Sequence, residues 1–214
     1  TTGERLARRD LTDEAIRLGR LLVQLMPDEP EALGLLALML LHDARREARE
    51  DARGDLVLLD DQDRSLWNHT QIVEGRALVE RALRMNRLGR YQLEAAIAAC
   101  HCEAPASDET DWRQIAVLYG HLAELTPSPV VTLNRAVAVA MAGDLAGAID
   151  RLDQLAVAGD LSDFAPFHAA RADLLRRAGR PAEARTAYEL AATLSGNAAE
   201  RRYLDRRAMA LRPS

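Results

Sequence analysis

The sequence predicts an all-α protein made of stacked antiparallel helical hairpins. Three observations carry that expectation. Alanine and leucine, the strongest helix formers, dominate the apolar residues, and aromatic residues make up only 4% of the chain. Apolar side chains recur at helical spacing nearly throughout. A pattern also repeats: "RAVAVAMAGDLAGAI" from Arg135 aligns with "RADLLRRAGRPAEAR" from Arg171. Ala136, Ala142, Gly143 and Ala148 thereby recur as Ala172, Ala178, Gly179 and Ala184, a period of 36. Self-similarity of this length marks helix pairs that bury their apolar faces against neighbouring pairs.

Taken in order, helices are expected over 12–26, 31–48, 68–88, 91–104, 111–125, 129–142, 145–157, 164–177, 181–194 and 197–211. The first places Ile16, Leu18, Leu22 and Leu25 among its apolar positions and stops at Pro27. The second opens on Asp28-Glu29-Pro30-Glu31, since proline is tolerated at a helix start and acids there suit the dipole. Asp111 reads as an N-cap, and Asn197 with Glu200 reads as a capping box. Gly143 and Gly179 fit helix C-caps, where glycine adopts a left-handed conformation at little cost. The small residues Ala136, Ala148, Ala172 and Ala184 are expected to let paired helices approach closely, with Leu152 and Tyr188 filling the groove between them. One connection is long and expected to be non-helical, an insert near 49–67 containing "DLVLLDDQDRSLWN".

Composition narrows the function classes. The net charge of −5 opposes broad attraction to nucleic acid or an anionic membrane. All 28 basic residues are arginine. Residues 161–214 hold ten Arg against six acids, which leaves −9 on residues 1–160 and a basic face on the last helices. No apolar run is long enough for a membrane helix and no secretory signal is present. Two cysteines are too few for a disulfide framework, so a reducing cytoplasm is expected. The start, Thr1-Thr2-Gly3-Glu4, lacks an initiator Met and is expected to be the beginning of a fragment.

Metal and catalytic readings fail on spacing. A calcium loop begun at Asp61 would need glycine where Leu66 stands and glutamate where Ile72 stands. Cys100-His101-Cys102 lies on an expected helix, where consecutive side chains point about 100° apart and cannot close on one ion. His101 is expected in a core or hydrogen-bonding role. There is no glycine-rich phosphate loop, no Gly-x-Ser-x-Gly elbow and no His-Glu-x-x-His. No enzyme, cofactor or metal is therefore expected. The insert stands out instead. Leu56–Leu59 and Trp67 are expected to tuck against the hairpins, leaving Asp60, Asp61, Asp63 and Arg64, with Trp67 beside them, as a contact surface. A second expected surface is a concave face lined by Asn134, Arg135, His168 and Arg171.

The repeat resembles the tetratricopeptide repeat. Leu33-Gly34 matches that family's Leu-Gly pair, Ala15 with Pro27 matches its second-helix signature, and Pro127 closes another such helix. The family's first-helix aromatic is replaced by Thr132 and His168, and the period exceeds its usual length of about 34 residues. More specifically, "LMPDEPEALGLLALMLLHDAR", "GDLVLLDDQDRSLWN", "YQLEAAIAACHCEAP" and "SPVVTLNRAVAVA", in that order, resemble the C-terminal extension of one group of bacterial extracytoplasmic-function sigma factors. The resemblance spans the chain from Arg8 to the final helix. In those proteins two promoter-recognition domains precede a tetratricopeptide-like extension, which is thought to regulate them in place of an anti-sigma partner. It implies that residues 1–214 form one regulatory domain with the promoter-recognition domains outside this chain; within it, sub-units 1–104 and 105–214 are expected. It further implies docking on the sigma core or RNA polymerase, with DNA contacted only by those missing domains and no membrane involved. The alternative is a free-standing peptide- or protein-binding scaffold.

Overall fold

The computed structural model describes residues 9–52 and 54–212, and among them every regular element is helical. Ten α-helices follow in order: α1 Arg9–Leu25, α2 Pro30–Asp43, α3 His69–Leu83, α4 Arg90–Glu103, α5 Trp112–Leu125, α6 Pro129–Met141, α7 Leu145–Ala158, α8 Ala165–Arg177, α9 Pro181–Leu194 and α10 Ala198–Met209. Local chemistry sets most of the starts. Asn68 Oδ1 accepts from Gln71 N, Asp111 Oδ1 from Gln114 N and Asp144 Oδ1 from Gly147 N, each satisfying a helix-start N–H that has no partner inside the helix. Asn197 Oδ1 accepts from both Ala199 N and Glu200 N. The reciprocal half of the expected box is relayed, because Ser195 Oγ donates to Glu200 and accepts from Asn197 N.

Two expected helices end early, for visible reasons. The helix expected to reach residue 48 stops at Asp43, where the Ala44 carbonyl turns to accept Asn68 N at 2.8 Å, and a single 3-10 turn follows at Arg46–Ala48. The helix expected to reach residue 88 stops at Leu83, and Asn86 takes φ of 53°, a left-handed conformation that asparagine tolerates.

The described residues form two compact units, 9–51 with 57–126, and 52, 54–56 with 127–212. The division therefore falls after Thr126 and not between 104 and 105, since α5 packs on α4 and stays with the first unit.

In the first unit α2 packs against α1, α3 and α4. Its buried residues, among them Ala32, Leu33, Gly34, Leu36, Ala37, Leu40 and Leu41, cover about 200° of its circumference at about 100° per residue, as befits an element with three helical neighbours. Where α2 crosses α4, backbone meets backbone. A Cβ on Gly34 would lie 2.6 Å from the Gln92 backbone nitrogen and 2.8 Å from the Tyr91 carbonyl carbon. One turn earlier, the Glu31 carboxylate accepts from Tyr91 N at 3.0 Å and Gln92 N at 3.2 Å, neutralising the exposed donors and positive end of the α4 dipole. Gln92 itself is fully buried, its Nε2 donating to Arg87 O at 2.7 Å. By contrast, α1 buries only Ile16 and Gly19, and its apolar positions Leu18 and Leu25 are exposed, since α2 is the neighbour it packs on.

The second unit pairs α6 with α7 and α8 with α9, and sets α10 on α9. The period of 36 reappears in its hydrogen bonds. Gly143 N donates to Ala140 O and Asp144 N to Val139 O; 36 residues on, Gly179 N donates to Arg176 O and Arg180 N to Leu175 O. Both turns reverse at a glycine of positive φ, 116° and 73°. Ala136, Ala148, Ala172 and Ala184 are all fully buried at the pairings, as are Leu152 and, nearly so, Tyr188. Asp173 ties α8 to α10. It accepts from Arg176 at 2.7 Å, Arg177 at 2.7 Å and Arg207 at 3.2 Å.

Two outcomes test this packing. Gly34→Ala forces the α2–α4 backbones apart and lowers unfolding stability by about 2 kcal/mol, read as a reduced urea midpoint. Burial raises the Asp173 carboxyl pKa, but the hydrogen bonds and charges of Arg177 and Arg176 outweigh it, leaving a net lowering from 3.8. A lowered folded pKa contributes stability that is present above the unfolded value and is lost as pH falls through the folded one. Asp173→Asn therefore destabilises at neutral pH and flattens the acid limb of the stability profile below about pH 4.

Candidate functional site

The insert between α2 and α3 is tied to the first unit by backbone and side chain alike. Val57 N donates to Arg49 O at 2.9 Å, and Gln62 Nε2 to Val57 O at 3.3 Å. It is not free of helical turns as expected, for single 3-10 turns occupy Leu59–Asp61 and Arg64–Leu66. Leu59 packs against the core and Trp67 is 4% exposed within it, beside Ala44, Ala48 and Ile72.

Arg64 is the clamp. Its Nη1 donates to the carbonyls of His101 at 2.9 Å and Ala104 at 2.8 Å, capping the end of α4. Its guanidinium lies 4.4 Å over the Trp67 ring, a cation–π contact. Trp67 is thus tucked inward as expected, while Arg64, expected on the contact surface, turns its guanidinium inward onto two carbonyls and the indole face. Three aspartates of the stretch reach solvent, alongside the exposed apolar side chains Leu58 and Leu66. Asp60, Asp61 and Asp63 are exposed, Asp60 accepting from Ser107 Oγ at 2.6 Å and Asp63 from the Ser65 hydroxyl at 2.6 Å and its N–H at 2.9 Å. The Ser65 bonds hold the Asp63 carboxyl below its ordinary range.

The fourth aspartate of the stretch behaves differently. Asp55 belongs to the second unit, where it accepts from Arg202 Nε at 2.6 Å and Arg206 Nη1 at 2.7 Å on the basic face of α10. No local pattern announces this pairing across 147 residues.

The Cys-His-Cys run lies on α4 as expected. Cys100 is buried, Cys102 Sγ makes a weak contact to Leu41 O at 3.7 Å, and the His101 ring meets Trp112 edge-on at 5.1 Å. Burial, with the charge of Arg45 next, pushes the His101 pKa down to about 4, so the ring is neutral at ordinary pH. Among the described residues no group of three His, Cys, Asp or Glu side chains could hold a metal ion.

The other expected face lies in the second unit. Asn134 and Arg135 are exposed on α6. His168 and Arg171, on α8, line an open groove of about 340 Å³ whose far wall is Glu183, Thr186 and Leu190 of α9. Arg171 is paired there with Asp153 of α7 at 2.8 Å, and His168 Nε2 bonds Ser162 O at 2.7 Å. The structure joins His168 to Arg171 in this groove but does not place Asn134 or Arg135 in its wall.

Residues 1–83, a stretch taking in α1, α2, the insert and α3, match the model of a family described as "Family of unknown function (DUF6596)". The chain is also 49% identical over 195 residues to "Uncharacterized protein R00370" of Rhizobium meliloti (strain 1021), an alignment covering 91% of this chain and 46% of that protein. The chain thus spans less than half the length of this curated relative. No solved structure matches it. None of its described helices is long and apolar enough to cross a membrane.

One outcome follows from the clamp. Arg64→Ala leaves two buried carbonyls without donors and strips the Trp67 face, costing about 2 kcal/mol in a denaturant titration. The Trp fluorescence maximum should move to longer wavelength below the unfolding transition as water reaches the indole.

Proposed function

We propose that this chain is the regulatory, protein-binding domain of a sigma factor of the extracytoplasmic-function type, acting in transcription initiation by docking on the sigma core or on RNA polymerase. The observation that carries the reading is the exposed acidic group at Asp60, Asp61 and Asp63, borne on an insert that Arg64 and Trp67 anchor to the first unit. Carboxylates fixed in place on a packed base steer and select a basic partner surface, since little ordering entropy is lost on contact. The resemblance of the ordered motifs to the sigma-factor extension supports the same reading. So does the length of the Rhizobium relative, more than half of which lies outside the alignment. On this view the helix pairs stack as a tetratricopeptide-like solenoid, the chain works in the cytoplasm without a cofactor or bond chemistry of its own, and DNA is met by other domains of the parent protein.

A second reading, a free-standing peptide-binding scaffold, is favoured by the groove holding His168, Arg171 and Glu183, which offers both signs of charge to an extended peptide.

Replacing Asp60, Asp61 and Asp63 together with alanine in the full-length parent protein should lower promoter output about tenfold while helical content is retained. Unchanged output in a reconstituted transcription assay sinks the docking role. A loss only on His168→Ala and Arg171→Ala would instead favour the groove.

A further inference from the structure

Arg45 is the most deeply buried cation described in the first unit, at 7% exposure, yet no carboxylate accepts from it. Its Nε has no hydrogen-bond partner. Its Nη2 reaches His42 Nδ1 at 3.3 Å, and Arg49 Nη2 reaches the same nitrogen at 3.4 Å. A neutral imidazole nitrogen offers one lone pair, so two guanidiniums compete for an acceptor that satisfies one of them weakly. The nearby acids are already engaged. Asp43 accepts from Arg46 at 2.6 Å and from Gln71 Nε2 at 2.8 Å, and Asp13 accepts from Arg46 at 2.9 Å. Arg64 adds a further positive charge whose own acceptors are carbonyls. Burial depresses the pKa of both Arg45 and Arg49, and on the half-buried Arg49 it outweighs the opposing charge of Asp43.

Of these groups His42, Asp43, Arg46 and Arg49 line an open cleft of about 330 Å³ beside α1 and α2. Ala15, Leu38 and Met39 give it an apolar wall, while His42 and Arg49 stand at its polar end. Asp43 is neutralised by Arg46, beside it in the wall. The size is at the lower end of small-molecule sites, and the pairing of an apolar wall with a few convergent polar groups is their usual make-up.

We propose that this cleft binds a small organic carboxylate, its apolar tail along Leu38 and Met39 and its carboxylate on Arg49, which draws Arg49 off His42 Nδ1 and leaves that acceptor to Arg45. A carboxylate offers two oxygens and about four lone-pair directions, enough to relieve the competition at His42 Nδ1. The site is separate from the acidic display and from the groove on α8 and α9, and its test needs no promoter.

The chain is titrated with sodium hexanoate, with hexan-1-ol and with sodium phosphate, against sodium chloride at matched ionic strength. Thermal midpoint and the NMR signals of the His42 ring and Met39 methyl are followed. Hexanoate is expected to raise the midpoint saturably, with an affinity on the order of 1 mM, and to shift both signals. Hexan-1-ol, lacking the charge, and phosphate, lacking the tail, are each expected to bind at least about tenfold more weakly. Arg49→Gln should abolish the hexanoate response, and Arg84→Gln, an exposed arginine elsewhere, should keep it. No saturable hexanoate response overturns the site. So does a response that survives Arg49→Gln, or one in which hexanol or phosphate matches hexanoate. Should Arg49→Gln fail to fold, the wild-type signals decide: shifts at His42 and Met39 support the site, and shifts confined to other residues overturn it.

Discussion

The first unit depends on how closely α2 can lie against the start of α4. A glycine at position 34 removes the one atom that would collide with the Tyr91–Gln92 backbone, and Glu31, three residues earlier, uses that proximity to accept the N–H groups at the beginning of α4. Close backbone contact and charge complementarity therefore reinforce each other at one spot. With α4 fixed there, its far end is carried to where Arg64 can reach the His101 and Ala104 carbonyls. The position of the insert is thus a consequence of the crossing of two helices.

Arginine does different work at three places. Over Trp67 it serves as a clamp, donating to carbonyls and stacking on an aromatic face. Around Asp173 three guanidiniums converge on one carboxylate and join α8 to α10. Around His42 the ratio is reversed, with two guanidiniums on one weak acceptor. The planar, always-charged guanidinium suits all three, since it can donate in several directions at once and keeps its charge when partly buried. The imbalance at His42 is the arrangement that calls for something from outside the chain.

Most of the secondary structure was legible because its signals are local. Asp111, Asn197, Pro129 and Pro181 mark helix starts through atoms within three residues of themselves, and Gly143 and Gly179 mark turns through their own φ. The two helices that ended early show the limit of such reasoning: α2 stops because Asn68, 24 residues away, takes the Ala44 carbonyl. Among the candidate residues, the acidity of Asp60, Asp61 and Asp63 and their surface position were readable from the sequence. The tucking of Trp67 was readable too, from a large apolar side chain beside an aliphatic run, but the inward commitment of Arg64 was not, since composition cannot say which side of a loop a charged residue faces.

The sequence by itself determined that this protein is helical, where its helices begin, and that its second half repeats with a fixed period, because each of these follows from propensity, periodicity and capping within a few residues. Only the tertiary structure decided that Asp55 joins the face of α10, that the chain divides after Thr126, and that Arg45 is buried beside Arg49 without a carboxylate. Those outcomes rest on contacts between residues far apart in sequence, where the competition among many basic side chains for a limited set of acceptors is settled by geometry and leaves no local trace.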